Sequence, residues 1–166
     1  TTYENPPSVA PGTVTAESDG VINLSAGTYT TLAAGSVNGK KVEKDTFVTL
    51  TGGKVENVVA GNIGGGTMNG SAKLLIGEGE IENLTAGSLG GTINGNVTTV
   101  INGGNIKNAV IGAASGATVN GSVIVALNGG HFEGSITAGA GTVTGKKIII
   151  TGTETVADLA SGAADY

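Results

Sequence analysis

KVENVVAG (54–61), EIENLTAG (80–87), NIKNAVIG (105–112) and the worn HFEGSITAG (131–139) are one phrase repeated four times. Its leading apolar residue falls at Val55, Ile81, Ile106 and Phe132, spacings of 26, 25 and 26. A second phrase closes each unit: TMNG (67–70), TING (92–95), TVNG (118–121) and TVTG (142–145). The period extends back to Tyr29 in TYTTLAAG and forward to Val156 in TVADLASG, giving about six copies. A period near 25 built from short β-branched runs and Gly corners is the signature of a β-solenoid coil. Helical repeats of similar length need apolar residues at i, i+3 and i+4. With 31 Gly in 166 residues, helices are disfavoured. The expected fold is all-β, a parallel β-helix of about six coils with a 25–26 residue period.

Stacked coils lie about 4.8 Å apart, so equivalent residues form columns. Tyr29, Val55, Ile81, Ile106, Phe132 and Val156 make one inward column, and Leu32, Val58, Leu84, Ala109 and Leu159 a second. Leu50, Ile76, Ile101 and Leu127 make a third, and Val37, Met68, Ile93, Val119 and Val143 a fourth. These columns supply a core almost without aromatic residues. Asn57, Asn83 and Asn108 are expected to form a structural ladder at a bend, their amides bonding to one another and to corner backbone. The Asn-Gly pairs at 38–39, 69–70, 94–95 and 120–121 read as corners that need positive φ.

The first strand of each coil carries a second signal. Its outward positions should be polar, yet they read Leu75, Val100, Ala126 and Ile149, with Ile124 beside them. Strands apolar on both sides are buried on both sides, so these five residues form a candidate lateral interface. A neighbouring subunit, the Pro-rich lead-in or the loop at 40–45 would cover it.

Residues 1–11, which hold all three prolines, read as an extended N-terminal segment or linker. Residues 12–162 form the solenoid domain, and 163–166 a C-terminal tail. GTVT (12–15) resembles the closing phrase, and KKVEKD (40–45) interrupts the repeat as a projecting loop or extra edge element. A net charge of −5 argues against nucleic acid. No apolar run is long enough to span a membrane as a helix. No Cys and a single His exclude thiol chemistry and leave no basis for a zinc site. No cofactor or metal is expected.

The GGxIxNxxAG…GTxNG rungs resemble the parallel β-helical repeats in the passenger regions of bacterial autotransporter-type adhesins, over roughly residues 12–160. The resemblance implies secretion or a cell-surface location, an elongated shape and attachment or structural work, and it transfers no functional residue. Calcium-binding nonapeptide solenoids require an Asp in each repeat, and none lies between Asp45 and Asp158.

Polysaccharide-cleaving β-helices resemble this chain in shape but use Asp clusters with an Arg or Lys, and this chain has no Arg. Glu80 and Glu82 straddle inward Ile81, where Lys54 and Lys107 on adjacent rungs can neutralise them. His131 has no evident catalytic partner, and no enzyme activity is expected. An ice-binding face is suggested by the outward Thr67, Thr92, Thr118 and Thr142, but Asn stands two residues on where a second Thr row would be needed. The expected function is a non-catalytic extracellular structural or adhesive module, a homo-oligomer or polymer assembling end to end or through its side. A host-surface or glycan receptor is the further partner this implies. The alternative is a glycan-binding or polysaccharide-processing β-helix.

Overall fold

The computed structural model describes residues 13–15, 21–33, 41–110, 112–134, 136–137 and 139–151. Positions 13–15, 22, 136–137, 147, 149 and 151 are described by backbone alone. Every regular element among them is a β-strand. In chain order they are β1 (Thr13–Thr15), β2 (Val21–Leu24), β3 (Thr28–Ala33), β4 (Lys41–Val42), β5 (Thr46–Val59) and β6 (Thr67–Met68). There follow β7 (Ala72–Thr85), β8 (Thr92–Ile93), β9 (Val97–Ile101), β10 (Asn105–Val110) and β11 (Thr118–Val119). The last are β12 (Val123–Leu127), β13 (His131–Phe132), β14 (Ile136–Thr137), β15 (Thr142–Val143) and β16 (Lys147–Thr151). All pairs are parallel, one coil apart, as β-solenoid stacking requires.

Each coil presents three faces. The first combines β2, the leading halves of β5 and β7, then β9, β12 and β16. The second combines β3, the trailing halves of β5 and β7, then β10, β13 and β14. The third is a separate five-stranded sheet, β4-β6-β8-β11-β15. The described residues make about four turns. The outer positions expected at Val37, Val156 and Leu159 lie outside them, as do residues 1–11 and 163–166.

The expected columns are the register. Leu24, Leu50, Ile76, Ile101 and Leu127 align on the first face, and Tyr29, Val55, Ile81, Ile106 and Phe132 on the second. Val42, Met68, Ile93, Val119 and Val143 align on the third. All but Val143 are buried, and together they form one core cluster with the Leu32 column. Alternation fixes the phase, because a one-residue slip would turn the whole set outward.

Two expectations change and one is narrowed. Of the two readings of KKVEKD, a projecting loop or an extra edge element, the second holds: Lys41 and Val42 form β4, paired with Thr67 and Met68 at the end of the short sheet among the described residues. Val42 can take that place because it supplies the inward apolar residue the column needs. GTVT does not act as a closing phrase, since Val14 pairs with Leu32 on the second face.

The Asn-Gly glycines are needed for a different reason from the one expected. Nine described glycines have positive φ, and among them Gly27, Gly53, Gly79, Gly104 and Gly130 turn the first face into the second. Gly70, Gly95 and Gly121 are not among the positive-φ glycines. At Gly95 a Cβ would sit 2.4 Å from the Gly70 carbonyl oxygen, so close approach between coils excludes any side chain.

Candidate lateral interface and amide ladders

On the first face, side chains between the core positions point to solvent in two columns. Val21, Phe47, Lys73, Thr98, Ile124 and Ile148 align in one. Asn23, Thr49, Leu75, Val100, Ala126 and Ile150 align in the other. Leu75, Val100, Ala126 and Ile124 are half-buried. Phe47 remains 38% exposed and Ile150 52% exposed. Lys73 is the sole charge in the two columns, and its Nζ lies 5.3 Å from the centroid of the Phe47 ring, a cation–π contact.

The structure therefore brings four of the five expected interface residues together and corrects the fifth. Ile149 pairs with Val125, in the inward column of Leu74 and Thr99, and Ile150 pairs with Ala126. The stripe continues through Ile150. Lys41 and Val42 lie in the short sheet, so the strand of that stretch sits on the third face and not over the stripe.

The outward positions of the second face are charged. Lys54 and Glu80 flank one side of the inward column, 3.9 Å apart, and Lys107 and Glu82 the other, 3.2 Å apart. They line an open groove of about 560 Å³ with Glu56, Glu133 and Thr30. His131 is exposed, and among the described residues no group of three metal-ligating side chains occurs. The third face carries the Thr column, with Thr67, Thr92, Thr118 and Thr142 in register. Two residues on stand Asn69, Asn94 and Asn120, whose exposed amides bond from coil to coil.

No family model, curated protein or solved structure matches this chain. Its chemistry must be read from its own side chains.

Among these, the amides form continuous hydrogen-bonded ladders. Asn57, Asn83 and Asn108 stack as expected: Asn83 Nδ2 donates to Asn57 Oδ1 at 3.1 Å, and Asn108 Nδ2 to Asn83 Oδ1 at 3.3 Å. Asn57 Nδ2 itself reaches the Thr30 carbonyl at 3.5 Å. A second ladder runs down the Asn-Gly corners. Asn120 donates to Asn94 and Asn94 to Asn69, both at 2.7 Å, and Asn69 donates to Glu43 at 2.8 Å. Each ladder starts on a group that can only accept, a carbonyl or a carboxylate, and so every amide in it points its N–H toward the N-terminal coil. A two-member ladder, Asn128 to Asn102 at 3.0 Å, has the same sense. Lys41 lies 2.7 Å from Glu43. That hydrogen bond and the Asn69 amide hold the Glu43 carboxyl below its usual range.

A further corner device gives no repeated letter in the sequence. Asp45 accepts from the Ser71 N–H, Ser71 Oγ from Asn96, Asn96 Oδ1 from Ser122, and Ser122 Oγ from Lys146. The residue changes from coil to coil, while the side-chain oxygen that satisfies the next N–H persists. Between the second and third faces, buried Asn62 bonds through Nδ2 to the carbonyls of Gly66 and Thr92, and its N–H donates to buried Ser88 Oγ at 2.8 Å. The spacing of 26 between Asn62 and Ser88 was the available signal, but unlike residues share the site.

Proposed function

We propose that this chain is a non-catalytic structural module of an extracellular surface, assembling with copies of itself through the outward stripe of the first face. One observation carries the reading. Two adjacent outward columns run the length of the described coil with one charge and with Phe47, Leu75, Val100, Ile124 and Ile150 among their members. Contiguous apolar patches of that kind mark contact surfaces. A second copy is the fitting occupant, because a flat, nearly neutral sheet is best matched by another of the same coil pitch, packed about 10 Å away. The adhesin-like reading of the rungs agrees with such a role, and a surface location follows from it as part of the proposal. End-to-end growth would use the strand edges of terminal coils.

Sedimentation velocity over a concentration series tests this. The parent should self-associate and the Val100→Lys protein should not. A parent that stays monomeric at high concentration, indistinguishable from Val100→Lys, refutes the lateral contact.

A glycan-binding role has its own observation, the charged groove on the second face. Two of its four carboxylates, Glu80 and Glu82, are engaged by Lys54 and Lys107, and it offers no exposed aromatic platform of the sort sugar sites use. Saturation of binding to a glycan array, abolished by Glu82→Ala, would place function there instead.

A further inference from the structure

Five Asn-Gly pairs lie in the described residues, beginning at Asn69, Asn94, Asn102, Asn120 and Asn128. Such pairs are chemically labile, because no side chain on Gly obstructs attack by its nitrogen on the preceding amide. The coil does not hold the five alike. We propose that Asn102 is the site of spontaneous deamidation in the folded protein, and that the ladders protect the other four.

The reaction needs the Asn carboxamide to fold back onto its own backbone. The deprotonated nitrogen of Gly103 bonds to Asn102 Cγ, the Cγ–Nδ2 bond breaks, and Nδ2 leaves as ammonia. Water then opens the cyclic imide at either carbonyl, leaving aspartate or isoaspartate. No oxidant or reductant is involved.

A carboxamide whose N–H is bonded along the coil axis must first surrender that bond. Asn69, Asn94, Asn120 and Asn128 each donate to the coil before them at 2.7–3.0 Å. At Asn128 the attacking group is tied as well, since Gly129 N–H donates to the Ile101 carbonyl at 3.1 Å. Asn102 differs. It accepts from Asn128, but one coil earlier its position is Gly77, as the bond from Asn102 N–H to the Ile76 carbonyl shows. Gly77 has no side chain to receive the Asn102 amide. All five asparagines are exposed, so the missing ladder bond, not exposure, sets Asn102 apart.

The product fits only there. A carboxylate at 102 still accepts from Asn128, as Glu43 accepts from Asn69. A carboxylate at 94 would face the Asn69 carbonyl oxygen, acceptor against acceptor.

Peptide mapping by mass spectrometry after incubation at mildly alkaline pH reads each site. In the folded protein Asn102 should convert about tenfold faster than Asn94, a ratio equivalent to about 1.4 kcal/mol of extra barrier. In denaturant the five rates should converge. Gly77→Asn should slow conversion at Asn102, because a Cβ at Gly77 meets nothing closer than 3.8 Å and the added amide extends the ladder. Equal rates at Asn94 and Asn102 in the folded parent would overturn the proposal. So would an unchanged Asn102 rate in a Gly77→Asn protein of parental Tm. Should that variant fail to fold, the folded-to-unfolded comparison of the parent decides alone.

Discussion

Thr99→Val should make the protein more stable. Thr99 is fully buried, stacked between Leu74 and Val125 in an inward column, and its Oγ1 has no hydrogen-bond partner among the described residues. Valine keeps the shape and the β-branch while replacing the hydroxyl by a methyl. What is relieved is the desolvation of an unpaired hydroxyl, about 1–3 kcal/mol. In urea, with a slope near 2 kcal/mol/M, the midpoint should rise by roughly 0.5–1.5 M at constant m. The reciprocal change, Val125→Thr, puts the same unpaired group one coil later and should lower the midpoint comparably, since Val and Thr are not interchangeable in a core. The two sites touch, so the double variant need not return to the parental value. A Thr99→Val midpoint equal to or below the parent's would show that the hydroxyl is satisfied and would refute the reasoning.

Ile81→Asp should unfold the coil or lower its Tm far below that of Glu82→Ala, because only the first buries an unpaired charge; matching melting curves would contradict the register. Asn83→Leu removes two ladder bonds, and a loss of roughly 1–3 kcal/mol by denaturation is expected at 0.5–1.5 each, with self-association unchanged in the folded fraction. Val125→Lys should unfold the coil where Val100→Lys only weakens association, distinguishable by circular dichroism. The Glu43 carboxyl is held low by Lys41 and Asn69. Its contribution is therefore complete above the unfolded carboxyl pKa and fades as pH falls through the folded value, and an NMR titration of Glu43 at or above the ordinary range would contradict this.

Most of the core was legible because inward positions repeat in kind: Val55, Ile81, Ile106 and Phe132 can be aligned by eye. The Asn57 ladder was legible for the same reason. The stripe was legible except at its end. KIIIT (147–151) is apolar at three consecutive positions, so alternation has no phase there and only the backbone pairing shows that Ile150 follows Ala126. The coil-to-coil step also shortens to 24 there, against 26 from Val100 to Ala126. The corner acceptors Asp45, Ser71, Asn96 and Ser122 were missed because the conserved thing is an oxygen, not a residue. The Asn-Gly glycines were found for the wrong reason. Sequence shows that a side chain is excluded but not whether torsion or a neighbouring carbonyl excludes it.

The common sense of the amide ladders makes the coil a vector. An amide dipole has its positive end at N–H, and these side chains align theirs toward the N-terminal coil, as peptide units do in an α-helix. The polarisation lies on the outside of the molecule, along two corners and a bend. Two coils meeting N-terminal end to C-terminal end would keep the amide dipoles parallel, although only the ladder that begins on an amide, at Asn102, has an N–H to offer across such a joint. Two meeting at their C-terminal ends would set Asn oxygens against Asn oxygens. A filament of such subunits would have unlike ends, and its two tips would differ in growth rate.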